Sequence, residues 1–569
     1  MNAISKYILD AAKSDDLRRY VTDLLLEICA IDTTPYADVT RMRDAESEVF
    51  DIIERELQKL DFPSARRERR PVNPAIADHP AFSQLHFTKT EARPEGLPPE
   101  DVYAERGNLL YFVPGKDGRE GPDGVAVNAH IDVVKPYIPP RLEDGIVYGR
   151  GSCDDKGAIV SMLAAFRLLS EALVQTDSQL SRNLLGMFVI EEETGGNGSL
   201  SLAIDRELKK LYDSILVLEC TGNNVHPANR GAVWYRADLT CEGVNLFEMF
   251  AFVIEQLEQE GRAIKAESRH PLFPQRPVQT CHGMIGSYGE HPSRICGEVS
   301  FNIDLGGTPD ADVTTLVTDC IEFALEEYIA VYGDKTKATD PTTGQPKVDH
   351  HYDLVATDNG FRCDVHGSTG HMGSILENDG AITKMAAFVR ALFRSKAKIA
   401  AAAQATVTLS LTGNEDVTTL KLEGGQGFVP THDITEVMDR VKRAVQHGAE
   451  TYLRLVGRTE NGTDVSDVTY DKLHNAAFDG DPDSETMQNA VAAARDAGIW
   501  QDQDITGWTV SCDSRLFASE YPDMSVITSG AGYLQYAHGD EEQIRLDELV
   551  ASVAFVALFI ARQAGVETA

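Results

Sequence analysis

Apolar residues recur at helical spacing over 16–61, with Leu24, Leu25 and Ile28 and then Val49, Ile52, Ile53 and Leu57 sharing faces, which predicts helix. The pattern then breaks. Residues 63–105 carry Pro63, Pro71, Pro74, Pro80, Pro94, Pro98 and Pro99, so a surface excursion without regular structure is expected there. From 108 onward short apolar runs (108–113, 125–128, 184–190, 214–218) alternate with helical patterns over 157–173 and 199–208. That rhythm belongs to a mostly parallel sheet covered by helices, an α/β domain.

After about 235 the order becomes strand, helix, two strands, helix: 232–240, 246–257, 280–286 with 296–304, and 312–331. A polar linker, 335–358, precedes a second run in the same order: 361–366, 382–393, 406–411 with 419–422, and 434–453. The βα style returns beyond 480, with a helix at 487–497, strands at 507–510 and 524–528, and a final helix from Leu546. A discontinuous α/β domain (1–235 and 471–569) is therefore expected. An α+β insert of two similar halves, about 236–334 and 359–470, interrupts it over 236–470.

At 569 residues the chain exceeds a single core, in agreement with that division. Its 53 basic and 89 acidic residues give a net charge of −36, which disfavours nucleic acid and anionic membrane as partners. The N-terminal stretch shows no basic region followed by an apolar run, and the apolar stretch near 550–560 is too short to span a bilayer. Nine scattered cysteines, without metal-finger spacing, fit a reduced, cytoplasmic interior.

Five groups of metal-compatible side chains fall where expected strands end, the place where open α/β sheets collect ligands. His130 and Asp132 follow the 125–128 run; the histidine is either structural or a zinc ligand whose ring the carboxylate orients. Asp154 and Asp155 sit in the glycine-flanked turn 149–157 and could cap a helix or bridge two cations. Glu191, Glu192 and Glu193 directly follow an apolar strand, where bound cations would offset their repulsion; a solvated acidic loop is the plain alternative. Glu219 ends the 214–218 run, and His538 lies in a glycine-bounded loop before the last helix.

In order and spacing these groups resemble the dinuclear zinc exopeptidase and deacylase family of carboxypeptidase G, succinyl-diaminopimelate desuccinylase, aminoacylase, peptidase V and carnosinase. The resemblance covers nearly the whole chain except the proline-rich excursion. It implies a zinc-exopeptidase-like fold and two divalent ions, zinc foremost with manganese or cobalt as alternatives. Asp154 would bridge them, His130 and Glu219 completing one site and Glu193 and His538 the other. It further implies Glu192 as general base, Asp132 as the carboxylate behind His130, and a cis Asp154–Asp155 peptide. Glu191 stands where the family usually has Asp, so Glu191 and Glu192 remain alternatives as base and ligand, with the following glycine favouring Glu192 and Glu193.

Gly367–Ser374 resembles the family's lid histidine motif, which implies that His371 binds the developing oxyanion and contacts substrate; lying in the second lid half, it implies a catalytically complete monomer. Arg515, in a segment resembling the family's Asp-Ala-Arg motif, would bind a substrate carboxylate or form a structural ion pair. The implied function is metal-dependent hydrolysis of a peptide bond by a dipeptidase or exopeptidase. Alternatives are deacylation of an N-acyl amino acid, a non-catalytic peptide-binding relative, and a two-metal phosphoesterase.

Overall fold

A computed structural model describes residues 3–568 apart from 340–343, 371, 374–378, 416 and 471–473, and apart from the side chain at 117. The chain divides into two compact units: Met1–Gly231 with His270–Gln275 and Lys472–Ala569, and Ala232–Arg269 with Arg276–Asp471.

The first unit is built on a six-stranded sheet in the spatial order Arg66–Pro71, Gly107–Val113, Leu184–Val189, Val125–His130, Ser214–Leu218, Ser525–Ser529. The four strands from Leu184–Val189 onward are mutually parallel, and the first two are antiparallel additions at one edge. Three of the parallel strands are buried at every residue, as uninterrupted apolar runs require when both faces are covered. Because these strands point the same way, His130, Ile190–Glu193, Glu219 and Ser529 all emerge at one rim.

Helix Lys156–Gln175 is apolar around nearly its whole circumference and packs against helices Asp15–Cys29 and Leu546–Gln563. Among the described residues it is the one helix long and apolar enough to cross a membrane, yet its most apolar window is 83% buried within the fold. Gly186 lets this helix approach the sheet, since a Cβ there would lie 2.9 Å from atoms of Met162 and Phe166.

Three expectations need correction. The helix expected over 16–61 is broken into Asp15–Cys29 and Val39–Leu57; Pro35 stands in the break, and Asp38 caps the second helix by accepting from the amides of Thr40 and Arg41. The 507–510 segment is no strand; Trp508 makes a single bridge to Asn229. The proline-rich excursion holds an edge strand, Arg66–Pro71, in which every residue but Arg70 is exposed. Charge along a strand and a closing proline suit an edge, and hide the strand from a hydrophobicity pattern.

The second unit contains two sheets. One runs Thr280–Ile285, Leu420–Phe428, Gly231–Leu239, Ser466–Thr469; helices Leu246–Glu267 and Ile434–Leu455 pack on each other beside it. The other runs Tyr352–Thr357, Gly360–His366, Glu298–Asp304, Thr408–Leu411, accompanied by helices Ala311–Tyr332 and Ala381–Ala403. Each sheet thus takes strands from both halves of the insert. The 335–358 stretch is more than a linker: Tyr352–Thr357 forms a hairpin with Gly360–His366 through Asp358 and Asn359.

Candidate active site

The rim of the parallel sheet gathers two overlapping sets of ligand atoms, His130 with Asp154 and Glu219, and Asp154 with Glu193 and His538, each set within 4.8 Å. His130 Nε2 lies 3.2 Å from Asp154 Oδ1 and 4.0 Å from Glu219 Oε1. On the other side His538 Nε2 lies 3.4 Å from Asp154 Oδ2 and 3.1 Å from Glu193 Oε2. Asp154 therefore offers one oxygen to each imidazole. The peptide bond between Asp154 and Asp155 is cis.

Three of the candidate ligands, His130, Asp154 and Glu193, are braced by neighbouring groups. His130 Nδ1 lies 3.0 Å from the backbone oxygen of Asp132, so the proton belongs on Nδ1 and leaves Nε2 free to ligate. The Asp132 carboxylate accepts from the amides of Glu192 at 3.1 Å and Glu193 at 3.0 Å, tying the third cluster to the first. Glu542, fully buried, accepts from the amides of Gly151, Cys153 and Asp154 at 2.9, 3.1 and 3.0 Å and pairs with Arg150. Nothing in the acidic run 540–542 sets Glu542 apart at the level of sequence.

Glu191 is committed elsewhere. Its carboxylate accepts from Arg106 Nη1 at 2.7 Å and from the Tyr103 hydroxyl at 2.8 Å, and Arg106 in turn pairs with buried Glu46. The alternative assignment makes Glu191 the base and Glu192 the ligand; here Glu191 faces Arg106 and Tyr103, while Glu193 lies 3.1 Å from His538. Ser83, also from the excursion, donates its amide to Asn197 Oδ1 and its hydroxyl to Gly195 O. The excursion thus clamps the loop that carries Glu192 and Glu193.

Arg515 is buried, donating to the backbone oxygens of Cys512 at 3.0 Å and Gly195 at 2.9 Å and standing 3.8 Å from Asp513. His371 lies outside the described residues.

Electrostatics test whether cations fit. Burial raises Glu192 well above the usual carboxylate range, and the negative charges of Asp513, Glu193 and Asp154 add to it against the opposing His130. Burial likewise raises Glu219, reinforced by Asp154, and raises Glu193. For His130, burial pulls downward, but the hydrogen bonds to Asp132 and Asp154 win and hold it well above 6.5. Buried carboxylates that repel one another around two imidazoles form a donor set of the kind that divalent cations complete, and mixed nitrogen and oxygen donors suit zinc, manganese or cobalt.

Two ligand sets sharing a carboxylate at the carboxyl end of a largely parallel sheet define an α/β protein with a candidate two-cation centre. The chain belongs to the peptidase family M20/M25/M40, whose model matches residues 126–562. A peptidase M20 domain-containing protein of Schizosaccharomyces pombe is 32% identical over 120 residues, 21% of this chain and 28% of that protein. A LysW-lysine/LysW-ornithine hydrolase of Saccharolobus islandicus is 41% identical over 51 residues, 9% of this chain and 15% of that protein. The matched stretches span about half the length of such curated relatives or less. Human carnosine dipeptidase 1 shares the fold with a TM-score of 0.55 at 13% identity, over 98% of this chain and 99% of that one. The dipeptidase Dug1p of Saccharomyces cerevisiae does so with 0.54 at 15%, over 99% of each.

Proposed function

We propose that the chain is a two-zinc hydrolase that cleaves peptide bonds of short peptides, as a dipeptidase or exopeptidase. The observation that carries this reading is the Asp154 carboxylate, which faces His130 with one oxygen and His538 with the other. Two divalent ions bound there would polarise the scissile carbonyl and lower the pKa of water towards neutrality. Glu192 accepts a proton from the attacking water and delivers it to the departing amine, a role worth about 10²–10⁴-fold. Asp132 fixes both the backbone of Glu192 and the ring of His130, so base and ligand keep their spacing. Two fold neighbours named as dipeptidases support the substrate class. His371 as oxyanion donor rests on the motif resemblance alone. The doubled lid supports activity as a monomer, and nine cysteines free of disulfides support a reducing, cytoplasmic compartment.

The test is release of primary amine from a panel of dipeptides, longer peptides and N-acyl amino acids, with zinc and with chelator. Chelator-sensitive release from dipeptides supports the proposal. Release confined to N-acyl amino acids would replace it with deacylation, and no release from any substrate would overturn it.

A further inference from the structure

The described residues hold another convergence of metal-binding side chains, wholly within the second unit and independent of the catalytic reading. His350, Asp353 and His366 place one ligand atom each within 4.8 Å of the others. Both imidazole Nε2 atoms point at the same oxygen, Asp353 Oδ2, each at 2.9 Å. The two rings meet edge to face, with centroids 4.6 Å apart.

The sheet builds this arrangement. Asp353 lies opposite Asp364 in the hairpin, and His366 is two residues further along that strand, so alternation puts Asp353 and His366 on one face. Glu298 of the next strand lies directly opposite His366 and sets a carboxylate 3.9 Å from its Nδ1. At that distance the carboxylate adds negative charge beside the ring without a hydrogen bond to it. The His366 amide also donates to His351 O at 2.9 Å, which fixes its backbone. Arg362, on the same face, is paired with Asp364 at 2.7 Å.

We propose that His350, Asp353 and His366 form a surface binding site for a first-row divalent cation, of which zinc is the best match, with water completing the coordination. Bonds of about 2.0–2.1 Å in tetrahedral geometry separate ligand atoms by roughly 3.3 Å, so contacts of 2.9 Å need to open by only a few tenths of an ångström. The side chains of His350 and Asp353 are 55% and 54% exposed, so a cation has direct access from solvent.

Titrating zinc chloride into metal-stripped full-length protein by calorimetry, with zinc content measured afterwards, tests the site. The expected result is loss of one zinc equivalent in His350→Ala/His366→Ala, with hydrolysis by the zinc-loaded variant unchanged. His350→Ala alone, lying outside the strands, repeats the measurement should the double variant fold poorly. Identical isotherms and zinc content for wild type and both variants would overturn the proposal and show an ion-pair cluster only. Hydrolytic activity is read separately, so failure of this site and failure of the catalytic reading are distinguishable.

Discussion

Replacing Arg106 by Met should weaken the fold and the catalytic loop together. Arg106 has a fully buried side chain and donates to Glu46 through Nε at 2.9 Å and Nη2 at 2.6 Å, and to Glu191 through Nη1 at 2.7 Å. Burial works against its charge, but Glu46 and Glu191 outweigh that and raise its pKa. Burial likewise raises Glu46, with Arg106 opposing and Glu191 adding. Methionine fills similar space but leaves two carboxylates uncompensated in the interior, and removing one partner of a buried pair costs about 3–5 kcal/mol. Glu191 also adjoins the proposed base, and a displacement of about 1 Å there can cost as much as about 10²-fold in turnover.

Urea unfolding and steady-state kinetics of the purified variant read the two effects. Protonation relieves the stranded Glu46, which burial already raises, so the deficit should be smaller at about pH 5 than at about pH 7. A stability change within about 0.5 kcal/mol, the range of ordinary surface substitutions, with turnover intact, would refute the reasoning.

Glu192→Gln should retain metal while turnover falls by about 10²–10⁴-fold, measured as amine release against metal content; a rate near wild type would displace Glu192 as base. Glu542→Gln removes the charge that pairs with Arg150 while the same oxygen must still hold three amides, so metal affinity by chelator competition should drop about 10–100-fold. His226 is buried, donates from Nδ1 to Thr506 O at 2.7 Å, and has its pKa pushed down by burial to about 4. The unfolded state then takes the proton first, so this contribution is present above about pH 6.5 and is lost as pH falls towards 4, about 3 kcal/mol in all. His226→Gln should flatten that part of the stability profile, and urea midpoints across the window check it.

The apolar runs and the residues that close them are readable in the chain, because buried parallel strands must be continuously apolar and the residues just beyond their carboxyl ends land at one rim. His130, Glu193 and Glu219 stand out on that ground, and Asp154 and His538 by their family spacing. Features that leave no mark on the hydrophobic pattern escape it. Arg66–Pro71 is a strand without apolar residues. Tyr352–Thr357 lies within a stretch that reads as polar linker, although Asp358-Asn359 forms its turn. The buried groups behind the candidate site, Glu542 beneath the Asp154 loop and Glu46 with Arg106 behind Glu191, are paired across long stretches of chain, and nothing local distinguishes them from ordinary surface charges. The excursion's part in bracing the loop of Glu192 and Glu193 is likewise a tertiary fact, carried by Ser83 and Tyr103.

The central claim is that two cations share Asp154. Anomalous diffraction at the zinc edge from crystals of the zinc-loaded protein addresses it directly. The account predicts two peaks flanking the Asp154 carboxylate, one beside His130 and Glu219 and the other beside Glu193 and His538. A single peak there, or none, would contradict it.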